Sequence, residues 1–482
     1  MAAKRVVLNA KALEALGAER LADLLMKFTE GNAAAKHRLR LELATREGPD
    51  DLAREVRNRL MTIARSKSFV DWRGISSLAD DLENQCRVIV ESLGTVAPGP
   101  ALDLLWRFMD LARSVFNRCD DSNGVVGSVF RGACTELGNL AQRVAGDPVK
   151  LADRAFDAMF ANGFGQFDHL IEVLAPALGD EGLEHLKRRM IEASDQPVKR
   201  PADKDRVTIG WSSSGPIYED EMAERMRKST VNLALKDIAD AQGDVDAFIG
   251  QYDEETRRVP RIAAEIGKRL LAAGRADEAL TMIEGAEPRR PDTWDWPDFQ
   301  WENVRIDTLE ALGRTDDAQK VRWSCFERSL SSSHLKAYLK RLPDFDDLEA
   351  EERALAHAER YRDRLSALSF LVSWPALDRA AGLVIEHVED LDGNNYEILT
   401  PAAEALAAKY PLAASLVLRA MIDFSLGKNR TTRYRHAARH LSECARLAGE
   451  VGDFGKFEDH KAYEAQLRRE HGRKLSFWRL VE

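Results

Sequence analysis

His436, His440 and Cys444 recur at every fourth residue within the stretch KNRTTRYRHAARHLSECAR (428–446), a spacing that stacks them one turn apart on a helix. Soft ligands placed so can share a metal ion. The flanking arginines repel a cation, and no fourth ligand stands nearby, so ordinary packing of the stripe is expected and no metal is assigned. The same stretch offers a different chemistry. Arg435, Arg439 and Arg446 lie near helical spacing, and a second basic run, RREHGRKLSFWR (468–479), adds Arg473 and Lys474. A continuous guanidinium face of this kind meets phosphates or a partner's carboxylates. Its plainer alternative is a solvated face with intrahelical pairs, with Tyr434 and His440 packed inward.

The tract Trp294-Asp-Trp-Pro-Asp-Phe-Gln-Trp301 is the densest aromatic cluster. Flat rings beside carboxylates suit a peptide groove or a cation pocket, which makes Trp294, Trp296 and Trp301 candidate partner-binding residues. The competing expectation is that Trp296, Phe299 and Trp301 fill a seam between helices.

Catalytic signatures are missing from the sequence. There is no G-x-S-x-G, no phosphate loop of the Walker type, no dinucleotide glycine fingerprint and no H-E-x-x-H. Asp120-Asp-Ser-Asn-Gly has the look of a calcium loop, yet with Gly124 at the invariant glycine, Cys119 falls on the first ligand position and Phe130 where a bidentate Glu is required. A helix cap is expected there instead. The five cysteines, Cys86, Cys119, Cys134, Cys325 and Cys444, are scattered and form no CxxC pair, so they are expected to be small buried hydrophobes in a reducing compartment. A non-enzymatic protein without a cofactor is the expectation.

These candidates sit in a chain dominated by helical spacing, rich in Ala, Leu, Glu and Arg, with few β-branched alternations. At 482 residues it exceeds the roughly 250–300 over which one core keeps growing, so several domains or an elongated array is expected. The polar run QPVKRPADKDRVTIGWSSSGP (196–216) interrupts the pattern. It suggests an N-terminal helical domain over 1–197, a linker or long loop over 198–218, and a C-terminal helical-repeat domain over 219–482. In the last, Ala272-Ala-Gly-Arg-Ala-Asp-Glu-Ala aligns with Ala311-Leu-Gly-Arg-Thr-Asp-Asp-Ala, matching Gly274 to Gly313, with weaker echoes at Trp374-Pro and Tyr410-Pro. Paired helices repeating every 35 to 45 residues or so mark an α-solenoid of tetratricopeptide-like hairpins. Phe477 and Trp478 are expected to plug the last repeat.

Apolar residues make up 44% and charged residues 31%, which supports folded cores, while a net charge of −10 disfavours general affinity for nucleic acid. With no apolar run of about 18 residues and no secretory start, a cytoplasmic location is expected. Several stretches together carry a likeness: Leu16-Gly-Ala-Glu-Arg-Leu-Ala-Asp-Leu-Leu, Ser68-Phe-Val-Asp-Trp, Asp120-Asp-Ser-Asn-Gly, Asp147-Pro-Val-Lys-Leu-Ala, and Tyr434 through Trp478 with His471-Gly-Arg-Lys. Over nearly its whole length the chain resembles an uncharacterised bacterial family, a domain of unknown function common in alphaproteobacteria. It is also similar to the helical region that follows the zinc finger in bacterial SWIM-type proteins. The finger's CxC pair is absent here, so the resemblance implies helical repeats but no zinc-dependent contact and no catalytic residue. The expected function is a binding scaffold for a protein or peptide, the alternative being a nucleic-acid accessory factor using Arg433, Arg435, Arg439, Arg473 and Lys474.

Overall fold

The 3.6-residue apolar spacing becomes helix along almost the whole of a computed structural model that describes residues 9–31, 33–196, 200–213, 215–286 and 299–481. The protein is all-α apart from one small hairpin of strands, and it divides into two units, one ending at Asp253 and one beginning at Glu254.

In the first unit, short polar side chains start the helices that carry the core. Asp121 accepts from the backbone N–H groups of Val126 and Gly127, each at 2.8 Å, and so caps α1 (Val125–Arg143). The Asp120-Asp-Ser-Asn-Gly stretch is therefore a cap, with Gly124 in the left-handed region at φ 70°. Asp147 performs the same task for α2 (Pro148–Phe160) by accepting from Val149 N–H at 3.0 Å. Gly179, at φ 55° and ψ −172°, breaks α3 (Leu170–Asp195) into two helical stretches joined at a kink. Trp106, Phe108, Phe130, Ile171, Leu174 and Leu186 are buried together in this unit's core. At Gly138 the backbones of α1 and α3 approach so closely that a Cβ would lie 2.3 Å from the carbonyl oxygen of Val173.

The stretch expected to be a linker does not separate the units. Residues 208–212 and 215–218 pair as antiparallel strands, β1 (Thr208–Ser212) and β2 (Gly215–Tyr218), with Trp211 opposite Pro216 and Gly210 opposite Ile217. The following helix, α4 (Glu219–Gln242), packs on α3 and belongs to the first unit. The boundary drawn at 198–218 is thus corrected to Asp253/Glu254. The hairpin's base is fixed by Arg206, whose guanidinium donates to Asp220 at 3.1 and 3.0 Å and to Glu221 at 2.6 Å and lies 3.6 Å from the Tyr218 ring centre. A five-residue strand containing glycine and serine resembles a loop in sequence, because the ladder that stabilises it is supplied by the opposite strand.

The second unit is built from helical hairpins: α5 (Pro260–Ala272) with α6 (Ala276–Gly285), α7 (Phe299–Ala311) with α8 (Thr315–Ser329), and α9 (Arg364–Ser373) with α10 (Leu377–Glu386). Three more helices, α11 (Tyr396–Leu406), α12 (Pro411–Gly427) and α13 (Tyr434–Ala448), continue the array, each packing on its successor. Helices two apart also touch, as α9 does α11 and α10 does α12, which is the stacking of a helical-repeat array.

The repeated Gly-Arg signature has a single physical cause. In the first turn Gly274 sits at φ 74°, its N–H donates to Leu271 O at 2.9 Å, and Arg275 N–H reaches Leu270 O at 2.8 Å. Gly313, at φ 69°, is matched bond for bond, with donation to Glu310 O at 2.9 Å and from Arg314 N–H to Leu309 O at 2.8 Å. This is the doubly bonded left-handed helix stop, which glycine enters without a Cβ penalty. The arginine that follows then pairs with the acid three residues on, Arg275 with Glu278 at 2.7 Å and Arg314 with Asp317 at 2.9 Å. The echo at Trp374-Pro keeps the longer bond, Ala376 N–H to Leu371 O at 2.9 Å. A further copy, invisible in the sequence, ends α12: Asn429 takes the left-handed position at φ 52° and Arg430 N–H donates to Ser425 O at 2.9 Å.

Gly138→Ala is expected to destabilise the first unit by about 1–3 kcal/mol, since the methyl meets backbone that cannot rotate away. Gly132→Ala, on the same helix with nothing within 4 Å, is expected to be neutral or to stabilise by up to about 1 kcal/mol. Urea unfolding of the two variants checks the contrast, and equal effects would contradict the close approach.

Candidate functional site

Of the sequence candidates, Trp301 is the one whose place is most firmly fixed, and it is not a surface. It is 3% exposed on α7, packed with Ala263, Ala264, Ile283 and Val304, and its indole N–H donates to Ile283 O at 3.1 Å. It fills the seam between hairpins, so its assignment to a partner groove is corrected, because a ring bonded to the backbone of α6 is unavailable to a ligand. Trp294 and Trp296 lie outside the described residues.

The C-terminal basic residues do not form one face. Lys474 donates from its ammonium to Asn429 Oδ1, and Arg446 is paired with Glu443 at 2.7 Å and Glu450 at 2.6 Å. Arg435 and Arg473 are exposed, and neither lines the cavity that Arg433 and Arg439 border. Nor do His436, His440 and Cys444 converge. Cys444 is fully buried against α12, where its thiol points to Ser415 O at 3.7 Å. Eight residues along a helix of 3.6 per turn rotate it about 80° from His436. Among the described residues no group of three or more His, Cys, Asp or Glu side chains is arranged to hold a metal ion.

What the structure does bring together is a groove of about 550 Å³ between α11 and α13, with α12 as its floor. Spacing explains the walls. Tyr396, Thr400 and Ala403 fall on one face of α11, with Ala407 in line just past its end, and His436, Arg439, His440 and Glu443 on one face of α13. The positions that face the space are small, Ala403, Ala407 and Ala437, and beneath it lie the buried Leu418 and Met421 of α12. A volume of this size falls within the range of ligand pockets, about 300–1,000 Å³.

The groove's electrostatics are asymmetric. Arg433 donates to Asn394 Oδ1 at 3.1 Å and stacks 4.8 Å from the Tyr396 ring centre, closing one end without losing its charge to a carboxylate. Arg439 is exposed and makes no hydrogen bond or ion pair among the described residues. Glu443 is held by Arg446, which keeps its carboxyl below the usual range, while Glu404 stands exposed on the opposite wall. Burial above all, with the neighbouring His436 and Arg439 adding to it, pushes the His440 imidazole down to about 4. It is therefore neutral at neutral pH, and its Nδ1 is buried with no hydrogen-bond partner. Sequence reasoning had marked Arg433, Arg439, His436 and His440 but not α11, whose contribution of alanines carries no chemical signature.

The model of a protein family of unknown function (DUF6880) matches residues 3–480. No curated protein matches the chain. Among solved structures, a circular tandem repeat protein with novel repeat topology and enhanced subunit contact surfaces aligns over 93% of this chain and 93% of its own, at 13% identity and a TM-score of 0.14. A score that low leaves the architecture to be argued from the chain's own helix packing, as above. Among the described residues no helix is long and apolar enough to cross a membrane.

Two outcomes follow. Trp301→Ala is expected to cost about 3–5 kcal/mol in unfolding free energy, as for any large buried ring; a variant of unchanged stability would restore Trp301 to the surface. For His440 the folded value lies below that of the unfolded chain, so its contribution is intact above about pH 6.5 and is lost as pH falls towards about 4. The urea midpoint of His440→Gln should accordingly fall less than that of the unaltered protein between about pH 7 and about pH 5.

Proposed function

This chain belongs to the DUF6880 family of unknown function, and on that premise we propose that it is a non-enzymatic binding scaffold that engages a protein or peptide partner through its helical-repeat surface. The observation that carries this reading is the groove between α11 and α13, an apolar trough with charged rims on adjacent helices of a repeat array. Repeat arrays vary exposed side chains without disturbing the seams that hold them, and the inner helices of neighbouring hairpins make a ready trough for a chain segment. The groove, rather than the Trp294–Trp301 tract, is the recognition surface in this reading. A cytoplasmic, bacterial setting and a kinship to the helical region of SWIM-type proteins are compatible with it and belong to the same proposal.

The alternative, an accessory factor that binds nucleic acid through the basic C-terminal residues, draws less support. Its cations are dispersed, with Lys474 held by Asn429 and Arg446 by two carboxylates, and phosphate binding depends on several free cations acting together.

Ala407 lines the groove without being fully buried, so Ala407→Trp should fill the trough and leave the fold intact. The protein recovered with the unaltered chain after mild cross-linking and nuclease treatment is expected to be lost with the variant, whose helical circular dichroism stays the same. Recovery that is identical with the filled groove, or that disappears on nuclease treatment alone, would overturn the reading.

A further inference from the structure

We infer that the segment received between α11 and α13 is an acidic peptide, whose carboxylates face Arg433 and Arg439 and whose apolar side chains enter the alanine-lined trough. The inference rests on the docking function proposed above and specifies the chemistry of its occupant.

Charge complementarity selects an acidic segment. The two arginines on the α13 side of the groove meet no carboxylate among the described residues: Arg433 is held by the neutral Asn394 amide, at 3.1 Å, and by the Tyr396 and Phe424 rings, and Arg439, exposed, has no hydrogen-bond or ion-pair partner there. The carboxylate beside them, Glu443, is already neutralised by Arg446 at 2.7 Å and so offers nothing to a ligand. The imidazole of His440 presents no charge at neutral pH. Glu404, across the trough on α11, leaves the opposite wall negative, so the field runs across the groove and orients whatever enters. An anion is therefore drawn to α13 and held away from α11. Arg makes the stronger, geometrically defined partner for a carboxylate because it donates two parallel hydrogen bonds.

The test uses the full-length protein and three fluorescein-labelled peptides, capped at both termini and otherwise built of alanine and glutamine. Each carries a Leu-Leu pair flanked at i and i+7 by glutamate, glutamine or lysine. Fluorescence anisotropy is expected to rank glutamate first, with glutamine about tenfold weaker and lysine weaker still. Arg439→Glu, a change at an exposed side chain without contacts to lose, should weaken the glutamate peptide by a similar factor and improve the lysine peptide. Equal binding of the glutamate and glutamine peptides, or a glutamate peptide indifferent to Arg439→Glu, would overturn the inference while leaving the docking function standing. If no peptide binds, or if Ala407→Trp leaves all binding unchanged, the docking function itself fails. Displacement of the glutamate peptide by a single-stranded oligonucleotide at equal concentration would replace the acidic peptide with a phosphate ligand and overturn the inference.

Discussion

The shortness of the alanine side chain sets the geometry of the second unit. Ala263, Ala264, Ala279, Ala318, Ala354, Ala367, Ala380, Ala402, Ala413 and Ala438 are all buried where one helix meets another. Each contributes little area to the hydrophobic term, but it lets helix backbones approach and brings the larger side chains of successive hairpins into register. Leu335, Leu368, Leu399, Val417 and Leu441 then complete the seams. The same shortness has the opposite result where no large neighbour reaches across. At Ala403, Ala407 and Ala437 the facing walls carry only short side chains, and a groove remains between them. Packing economy and the candidate binding surface thus have one origin.

Reversal of the chain between helices depends on a second local device. The left-handed stop at Gly274, Gly313 and Asn429 satisfies two orphan carbonyls each time and aims the next helix back along the previous one. At the first two turns the following arginine binds an acid in the first turn of the new helix, so the sequence signature and the helix start are joined. Asn429 shows how the device connects to the groove. Its side chain accepts from Lys474, tying the segment after α13 back to the turn that precedes α13. Phe477 and Trp478 close the array there, with Trp478 N–H donating to His471 O at 3.0 Å and Arg468 stacked 4.2 Å from its ring centre.

The charged side chains show why a residue list is a poor guide to an electrostatic surface. Arg433, Arg435, Arg439, Arg446, Arg473 and Lys474 look alike in sequence, yet only Arg433 and Arg439 border the groove, and Arg446 is discharged by two carboxylates. What a cation offers a partner depends on which acids reach it first. That is decided by side chains within a turn on its own helix for Arg446 and by a distant loop for Arg433.

The sequence by itself determined the helical class, the Gly-Arg turns, the cap formed by Asp121 and the burial of Phe477 and Trp478, because each rests on interactions within a few residues or on a local periodicity. It also marked the α13 face that carries Arg439 and His440. Only tertiary structure decided that Trp301 fills a seam, that the polar stretch near 208–218 is a hairpin inside the first unit, and that α11 supplies the facing wall of the groove. Each of those outcomes depends on what lies across a gap from a residue distant in the chain. Burial of an aromatic, pairing of a short strand and the emptiness above three alanines are properties of two surfaces, and the sequence of either one does not contain them.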